Sequence, residues 1–357
     1  MKSGRRGVLP FALIILSVSA CDRAVESAPP TVPAVSAEAA QRAAASITGS
    51  DVARRIETLA HDSLRGRATP SPELDAAARW IASEFEAFGL QPLLYTQRDD
   101  PGFVQWYAVP QDQNGGVPGS APQAPNVVGA IRGSDPQLSN EYVVFSAHID
   151  HVGVGRPDAL GDSIYNGADD NASGTAVMME VAEAMASLDP APRRSLLFVL
   201  VSGEEKGLWG SEHFVANAPV AIDDMVAAFN ADMVGRNWPD TIVAIGKEHS
   251  DLGATLERVN ARYPELGMTA IDDRWPEEQF YFRSDHINFA RQGIPVLFFF
   301  NGTHADYHEP SDEAERIDAD KAARIGQLLF HLGLEVADAE QRPVWQEQSR
   351  REIVTRR

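Results

Sequence analysis

Apolar residues recur along this chain in two rhythms. The stretch 71–89, "SPELDAAARWIASEFEAFG", repeats them at helical spacing, with Ser71 placed to cap, Pro72 in the first turn and Gly89 to stop the helix. The same spacing predicts helices in "SDVARRIETLAHD" with Ser50 as N-cap, "GTAVMMEVAEAMASL", "GLWGSEHFVANA", "SDHINFARQG" and "DADKAARIGQLLFHLGLEVADA". Between them lie segments built around short apolar runs: "EYVVFSAH", "RSLLFVLVSGEE", "MVAAFNADMVG" and "IPVLFFFNG", preceded by "NVVGAIRG". A strand apolar on both faces belongs in a sheet covered on both sides. The alternation therefore predicts an α/β fold of three layers, a central mixed and mostly parallel sheet between helices. The Gln-, Pro- and Gly-rich stretch 91–125 reads as irregular.

The N-terminus changes the picture. Lys2, Arg5 and Arg6 precede an apolar run from Val8 to Val18, followed by "SAC". That is the pattern of an export signal, too short to span a membrane comfortably. Cys21 is the only cysteine, and "VSAC" resembles a bacterial lipobox, so a lipid anchor at Cys21 is expected, on a membrane lipoprotein facing the periplasm or the exterior. The expected organisation is a signal over 1–21, an Ala/Pro/Ser-rich tether over 22–48, a catalytic domain over 49–340 and a tail over 341–357. A net charge of −20 excludes a basic nucleic-acid surface. One cysteine leaves stability to the core rather than to disulfides.

In open α/β sheets ligands bind beyond the carboxyl ends of the strands. Each buried strand here ends in a potential metal ligand. "EYVVFSA" runs into His148, "RSLLFVLVSG" into Glu204 and Glu205, "MVAAFNA" into Asp232, and "IPVLFFFNG" into "THADYHEPSD" with His304 and His308. "NGADDNASG" brings Asp169 and Asp170 to the start of a helix. Any one of these is an ordinary polar turn, but their repetition at one edge is not. Imidazole and carboxylate without cysteine suit zinc or a similar first-row ion.

Taken together, "SAHIDH", "NGADDNASG", "SGEEKGLWGS", "NADMVG", "RSDHINFARQGIPVLFF" and "DYHEPSD" resemble the M28 family of co-catalytic zinc peptidases, in family order over about residues 50–335. The resemblance implies two zinc ions. His148 and Asp232 would hold one, Glu205 and His308 the other, and Asp170 would bridge them. It implies Glu204 as general base, Asp150 as the acceptor orienting His148, Tyr307 as a donor to the oxyanion, and a cis peptide between Asp170 and Asn171. The implied activity is release of N-terminal residues from peptides. Chemically this is coherent, because a bound divalent ion lowers the pKa of water to about 7 and a neighbouring glutamate can shuttle its proton.

His151, His286 and His304 are expected to be hydrogen-bonded pocket residues rather than ligands. Trp209, Trp238, Trp275, Phe280 and Tyr281 are candidates for a side-chain pocket, with packing as the simpler role of each. The short 91–125 segment leaves no room for a protease-associated domain, and no oligomerisation element is visible, so a monomer is expected. Two other readings use the same scaffold: a one-zinc glutaminyl cyclase, and a binding domain without activity.

Overall fold

The computed structural model describes residues 34–94, 102–110 and 122–355, together with Met1 and Gly4. Cys21, the export signal and residues 22–33 of the expected tether lie outside the described residues. Among the described residues nine strands form one mixed sheet. In chain order the strands are β1 (Gln91–Pro92), β2 (Val104–Ala108), β3 (Gln123–Ile131), β4 (Tyr142–His148), β5 (Gly153–Val154), β6 (Ile164–Tyr165), β7 (Ser195–Val201), β8 (Met225–Asp232), β9 (Thr241–Ile245), β10 (Thr269–Ile271) and β11 (Val296–Phe300). The order across the sheet is β1-β3-β7-β4-β8-β11-β9-β10, with β2 beside β3; β5 and β6 form a small ribbon of their own. The centre, β7-β4-β8-β11, is parallel, as is β10 on β9, while β1, β2 and β3 and the β11–β9 pairing are antiparallel. The sheet is thus parallel where it carries the site and antiparallel on both sides of that centre.

Strand residues divide between two cores with a period of two, as the pleat requires. Val143, Phe145 and Ala147 of β4 and Leu196, Phe198 and Leu200 of β7 point to one face. There they meet α1 (Ala37–Ala44), α2 (Gly49–Leu59), α3 (Pro72–Phe88), α4 (Gly174–Ala186), α6 (Leu252–Arg262) and α8 (Ala319–Asp338). Val144, Leu197, Val199 and Val201 point to the other, against α5 (Trp209–Ala216), α7 (His286–Arg291) and α9 (Glu347–Ile353). Burying a side chain such as Phe145 contributes on the order of 2–3 kcal/mol. Gly333 lets α8 lie close on β4, since a Cβ there would meet the Phe145 ring at 2.2 Å. Buried Arg55 of α2 ties three elements together, reaching Glu84, Glu180 and Glu183 at 2.5–2.6 Å.

Four details depart from the sequence expectations. Helix α2 is capped by Thr48, whose side chain accepts from Asp51 N–H, rather than by Ser50. Residues 37–44, assigned to the tether, form α1 and bury Ala40, Ala43 and Ala44 in the main core. Residues 347–353, assigned to the tail, form α9 and bury Ile353 in the second core. The stretch 91–125 contributes β1, β2 and the start of β3. No helix among the described residues is long and apolar enough to cross a membrane.

Candidate metal centre

The carboxyl ends of the parallel strands are in register, His148 beside Val201 and Phe300 beside Asp232. Two of the expected ligands are therefore strand-terminal residues, and the others come within a few positions of a strand or helix end. The turn before α4 brings in Asp170. Asn171 fixes that turn to β8, its side-chain amide donating to the Ala231 carbonyl and its oxygen accepting from Gly174 and Met233 N–H. The Asp170–Asn171 peptide is cis. The buried Asp312 carboxylate accepts from the N–H groups of both Asp169 and Asp170 at 3.0–3.1 Å. His308 sits at φ +56 and Met233 at φ +52, left-handed conformations that non-glycine residues seldom adopt and that concentrate at functional sites.

Two groups of donor atoms result. In one, His148 Nε2 lies 3.2 Å from Asp170 Oδ1 and 3.3 Å from Asp232 Oδ1. In the other, His308 Nε2 lies 3.0 Å from Asp170 Oδ2 and 3.2 Å from Glu205 Oε2, with His151 Nδ1 2.9 Å from Glu205 Oε1. Ligands on one tetrahedral zinc, bonded at about 2.0–2.2 Å, stand about 3.3 Å apart. Both groups match that spacing, and mixed imidazole and carboxylate donors suit the ion. Asp170 belongs to both, one oxygen facing each. The donor chemistry therefore fits zinc.

The surroundings explain how such charge is held. Burial alone disfavours the His148 cation, but the carboxylates of Asp232, Asp150 and Asp170 outweigh it and raise its pKa well above the ordinary value. Burial also opposes ionisation of Asp170, and His148 and His308 overcome it, holding that carboxyl well below its usual range. Glu204 moves the other way. Burial raises it well above the usual carboxylate range, and Asp285, Asp232 and Glu205 add to the effect against the pull of His148. Burial likewise lifts Asp285 to about 7 and Asp312 to about 6.

Asp150, expected to orient His148, approaches it with two groups. Its carboxylate stands 3.7 Å from His148 Nδ1, too far for a hydrogen bond, whereas its backbone carbonyl lies at 3.2 Å. That contact leaves Nε2 facing Asp170 and Asp232, an arrangement usual for a metal-binding imidazole. The Asp150 side chain instead accepts from Thr69 Oγ1 at 2.8 Å and from Glu204 N–H at 3.3 Å, so it sets the turn that presents Glu204. Other supports lie outside the expected set. Ser284 Oγ donates to Asp232 Oδ2 at 2.9 Å. Buried Arg67 donates to the carbonyls of Leu59, Ile149, Asn166 and Gly167, pinning the segments that bear His148, His151 and Asp170. The "SDH" and "PSD" motifs signal Ser284 and Asp312, but nothing in its neighbourhood marks Arg67.

Of the three histidines expected to be hydrogen-bonded, His286 contacts the Tyr281 carbonyl at 2.7 Å and His304 contacts Asp169 Oδ2 at 3.1 Å. His151 makes no hydrogen bond through either ring nitrogen. A cleft opens on the centre, lined by Asp170, Glu204, Asp232 and Tyr307 and by the rings of Phe280, Phe298 and Phe300. Tyr307 stacks on His308 at 3.9 Å, and burial pushes its phenol upward so that the hydroxyl keeps its proton. Of the aromatic pocket candidates only Phe280 is in the lining. Phe298 and Phe300 come from β11, whose run reads as pure core, while Trp238 and Trp275 stack on each other nearby.

A family model described as peptidase family M28 matches residues 126–333. The chain belongs to peptidase family M28. Among its relatives, leupeptin-inactivating enzyme 1 of Streptomyces exfoliatus is 31% identical over 194 residues, which are 54% of this chain and 38% of that protein. Aminopeptidase YwaD of Bacillus subtilis is 29% identical over 188 residues, 50% of this chain and 39% of that protein. The chain thus spans about two-fifths of the length of these two relatives. In fold it is similar to the crystal structure of Legionella pneumophila LapA aminopeptidase, with a TM-score of 0.64 at 21% identity over 88% of this chain and 79% of that one.

Proposed function

We propose that the chain is a di-zinc exopeptidase that releases N-terminal residues from short peptides. The observation that carries this reading is the placement of Asp170, whose two oxygens face two separate donor groups while Glu204 stands beside them on the cleft. His148 and Asp232 would hold one ion, Glu205 and His308 the other, with Asp170 shared. When bound, the ions supply Lewis-acid activation of water and of the scissile carbonyl.

The chain's own residues do the rest. Glu204 accepts the proton of the attacking water and passes it to the leaving nitrogen, a task suited to a carboxyl whose pKa is raised by burial. The Tyr307 hydroxyl donates to the developing oxyanion. Phe280, Phe298 and Phe300 receive an apolar side chain. The choice of peptide end comes from charge. Arg236, a candidate for gripping a terminal carboxylate, is engaged by Asp306 at 2.8 Å. Arg283 at the cleft lies over the Phe280 ring at 4.7 Å and 3.4 Å from Glu278. The net charge of −20 over the whole chain favours approach of an α-ammonium group over a carboxylate.

Short peptides with a free amino terminus should therefore lose that residue, and N-acetylated versions should resist. Phenanthroline should abolish turnover and zinc should restore it. Shortening of acetylated peptides from the carboxyl end at the same rate would defeat the aminopeptidase reading and leave the metallopeptidase reading standing. Export with lipidation at Cys21 completes the proposal, supported by the basic and apolar leader that ends at the sole cysteine. Cys21→Ser should move the protein from the membrane fraction to the soluble one; wild-type protein found wholly soluble and cleaved elsewhere would refute the anchor.

A further inference from the structure

His151 is the one histidine near the centre that neither the family resemblance nor the hydrogen-bond network accounts for. Its ring is fully buried, and a buried imidazole without partners is costly. Neither Nδ1 nor Nε2 has a hydrogen-bond partner. Glu205 Oε1, 2.9 Å from Nδ1, is likewise without one. Two complementary atoms at that distance would normally bond to each other. Here they are close but misaligned, which is how two atoms stand when both aim at a third point between them.

The surroundings keep the ring in that place. Gly167, at φ +59, would carry a Cβ only 2.4 Å from the His151 ring, so only glycine allows the approach. The His308 ring meets it edge-on, with centroids 5.4 Å apart. His151 N–H is bound by the carbonyl of Arg67, whose side chain also donates to the Gly167 carbonyl. Nδ1 is 3.7 Å from Asp170 Oδ2. The atoms of His151, Asp170, Glu205 and His308 all lie within 4.8 Å of one another.

We infer that His151 is a fourth protein donor to the ion held by Asp170, Glu205 and His308, which closes that site and leaves the open coordination position on the His148–Asp170–Asp232 side. Four protein donors make a closed, retained zinc, while three leave room for chemistry. The cleft agrees with this asymmetry, since Asp170, Glu204 and Asp232 line it and His151, Glu205 and His308 do not. The inference rests on the two-ion reading and adds a sixth ligand to the five that the family resemblance implies.

The test measures zinc directly. Full-length wild type and His151→Leu are equilibrated against graded dipicolinate and their zinc content is determined by mass spectrometry. Wild type should release its ions in two separate steps. His151→Leu should give up the more tightly held ion at a chelator-buffered zinc level at least ten-fold higher, while the other step stays in place. A second variant guards against misfolding of the first. In His151→Cys the sulfur is nearer the backbone than Nδ1, but its bond to zinc is longer, about 2.3 Å against about 2.0–2.1 Å, so its reach is similar. With cobalt in place of zinc, this variant should show a thiolate-to-cobalt charge-transfer band that wild type lacks. Two ions retained with unchanged affinity in His151→Leu, or no such band in His151→Cys, would overturn the inference and spare the dinuclear reading. Wild type that never binds more than one ion would overturn both.

Discussion

Glu204→Gln is expected to leave zinc content unchanged and to lower kcat by about 10²–10⁴, the usual contribution of a general base. Glu204 belongs to neither donor group, so the substitution deletes a proton carrier and no ligand. Its backbone N–H stays bound to Asp150 Oδ1, which keeps the turn in place. Burial and the acids around it disfavour the charged form of this carboxyl, so a neutral amide of the same shape fits at little cost. Thermal stability of the metal-free protein should therefore hold or rise slightly. Paired measurements of zinc content and kcat on the same preparation give the answer. If zinc is lost and activity per bound ion is kept, Glu204 and Glu205 have exchanged roles.

The residues that the structure gathers at the site are visible in the sequence because of where strands end. Runs such as "SLLFVLV" and "VLFFF" can only be buried on both faces, and the residues just beyond such a run emerge at one edge of the sheet. His148, Glu204, Glu205 and Asp232 are all placed by that argument without knowledge of any loop. Asp170 and His308 depend on loop geometry, and only motifs that match a family point to them. The ring of His151 lacks the hydrogen bond expected of it, for a physical reason. The spacing "HIDH" does not say whether the third residue after His148 turns back to the site. That outcome depends on Gly167 and Arg67, which approach from distant parts of the chain. Helix α1 escapes a pattern reading because an alanine-rich segment looks like a tether, although small side chains such as Ala40 and Ala43 are what let a helix pack tightly on α4 and α8. β2 escapes it because five strand residues lie among Gln, Pro and Gly, and its burial comes from β3 beside it rather than from its own pattern.

The Asp170→Asn and Asp169→Asn pair should separate ligation from support at neighbouring carboxylates. Asp170 Oδ1 faces His148 and Asp232, and Oδ2 faces His308 and Glu205. An amide replaces one of those oxygens with an N–H₂ group, which repels a cation and offers it no lone pair. Whichever way it turns, one group is deprived outright and the other keeps only a neutral oxygen. The backbone is not at fault in this variant, since the Asp312 carboxylate still accepts from the N–H of residue 170. Asp169 has a different task. Its Oδ1 accepts from Gly235 N–H at 2.7 Å and its Oδ2 faces His304, both away from the donor groups. Asp169→Asn should thus cost about 1–3 kcal/mol of stability by weakening buried hydrogen bonds, with zinc retained. Asp170→Asn should hold less than one zinc per chain after dialysis and lose nearly all activity. Added zinc should make the contrast visible in melting curves. Free zinc at about a hundred times its Kd stabilises a native protein by about 2.7 kcal/mol per site, so wild type and Asp169→Asn should shift upward while Asp170→Asn moves little. Greater zinc loss in Asp169→Asn than in Asp170→Asn would mean that the bridging role sits one residue earlier.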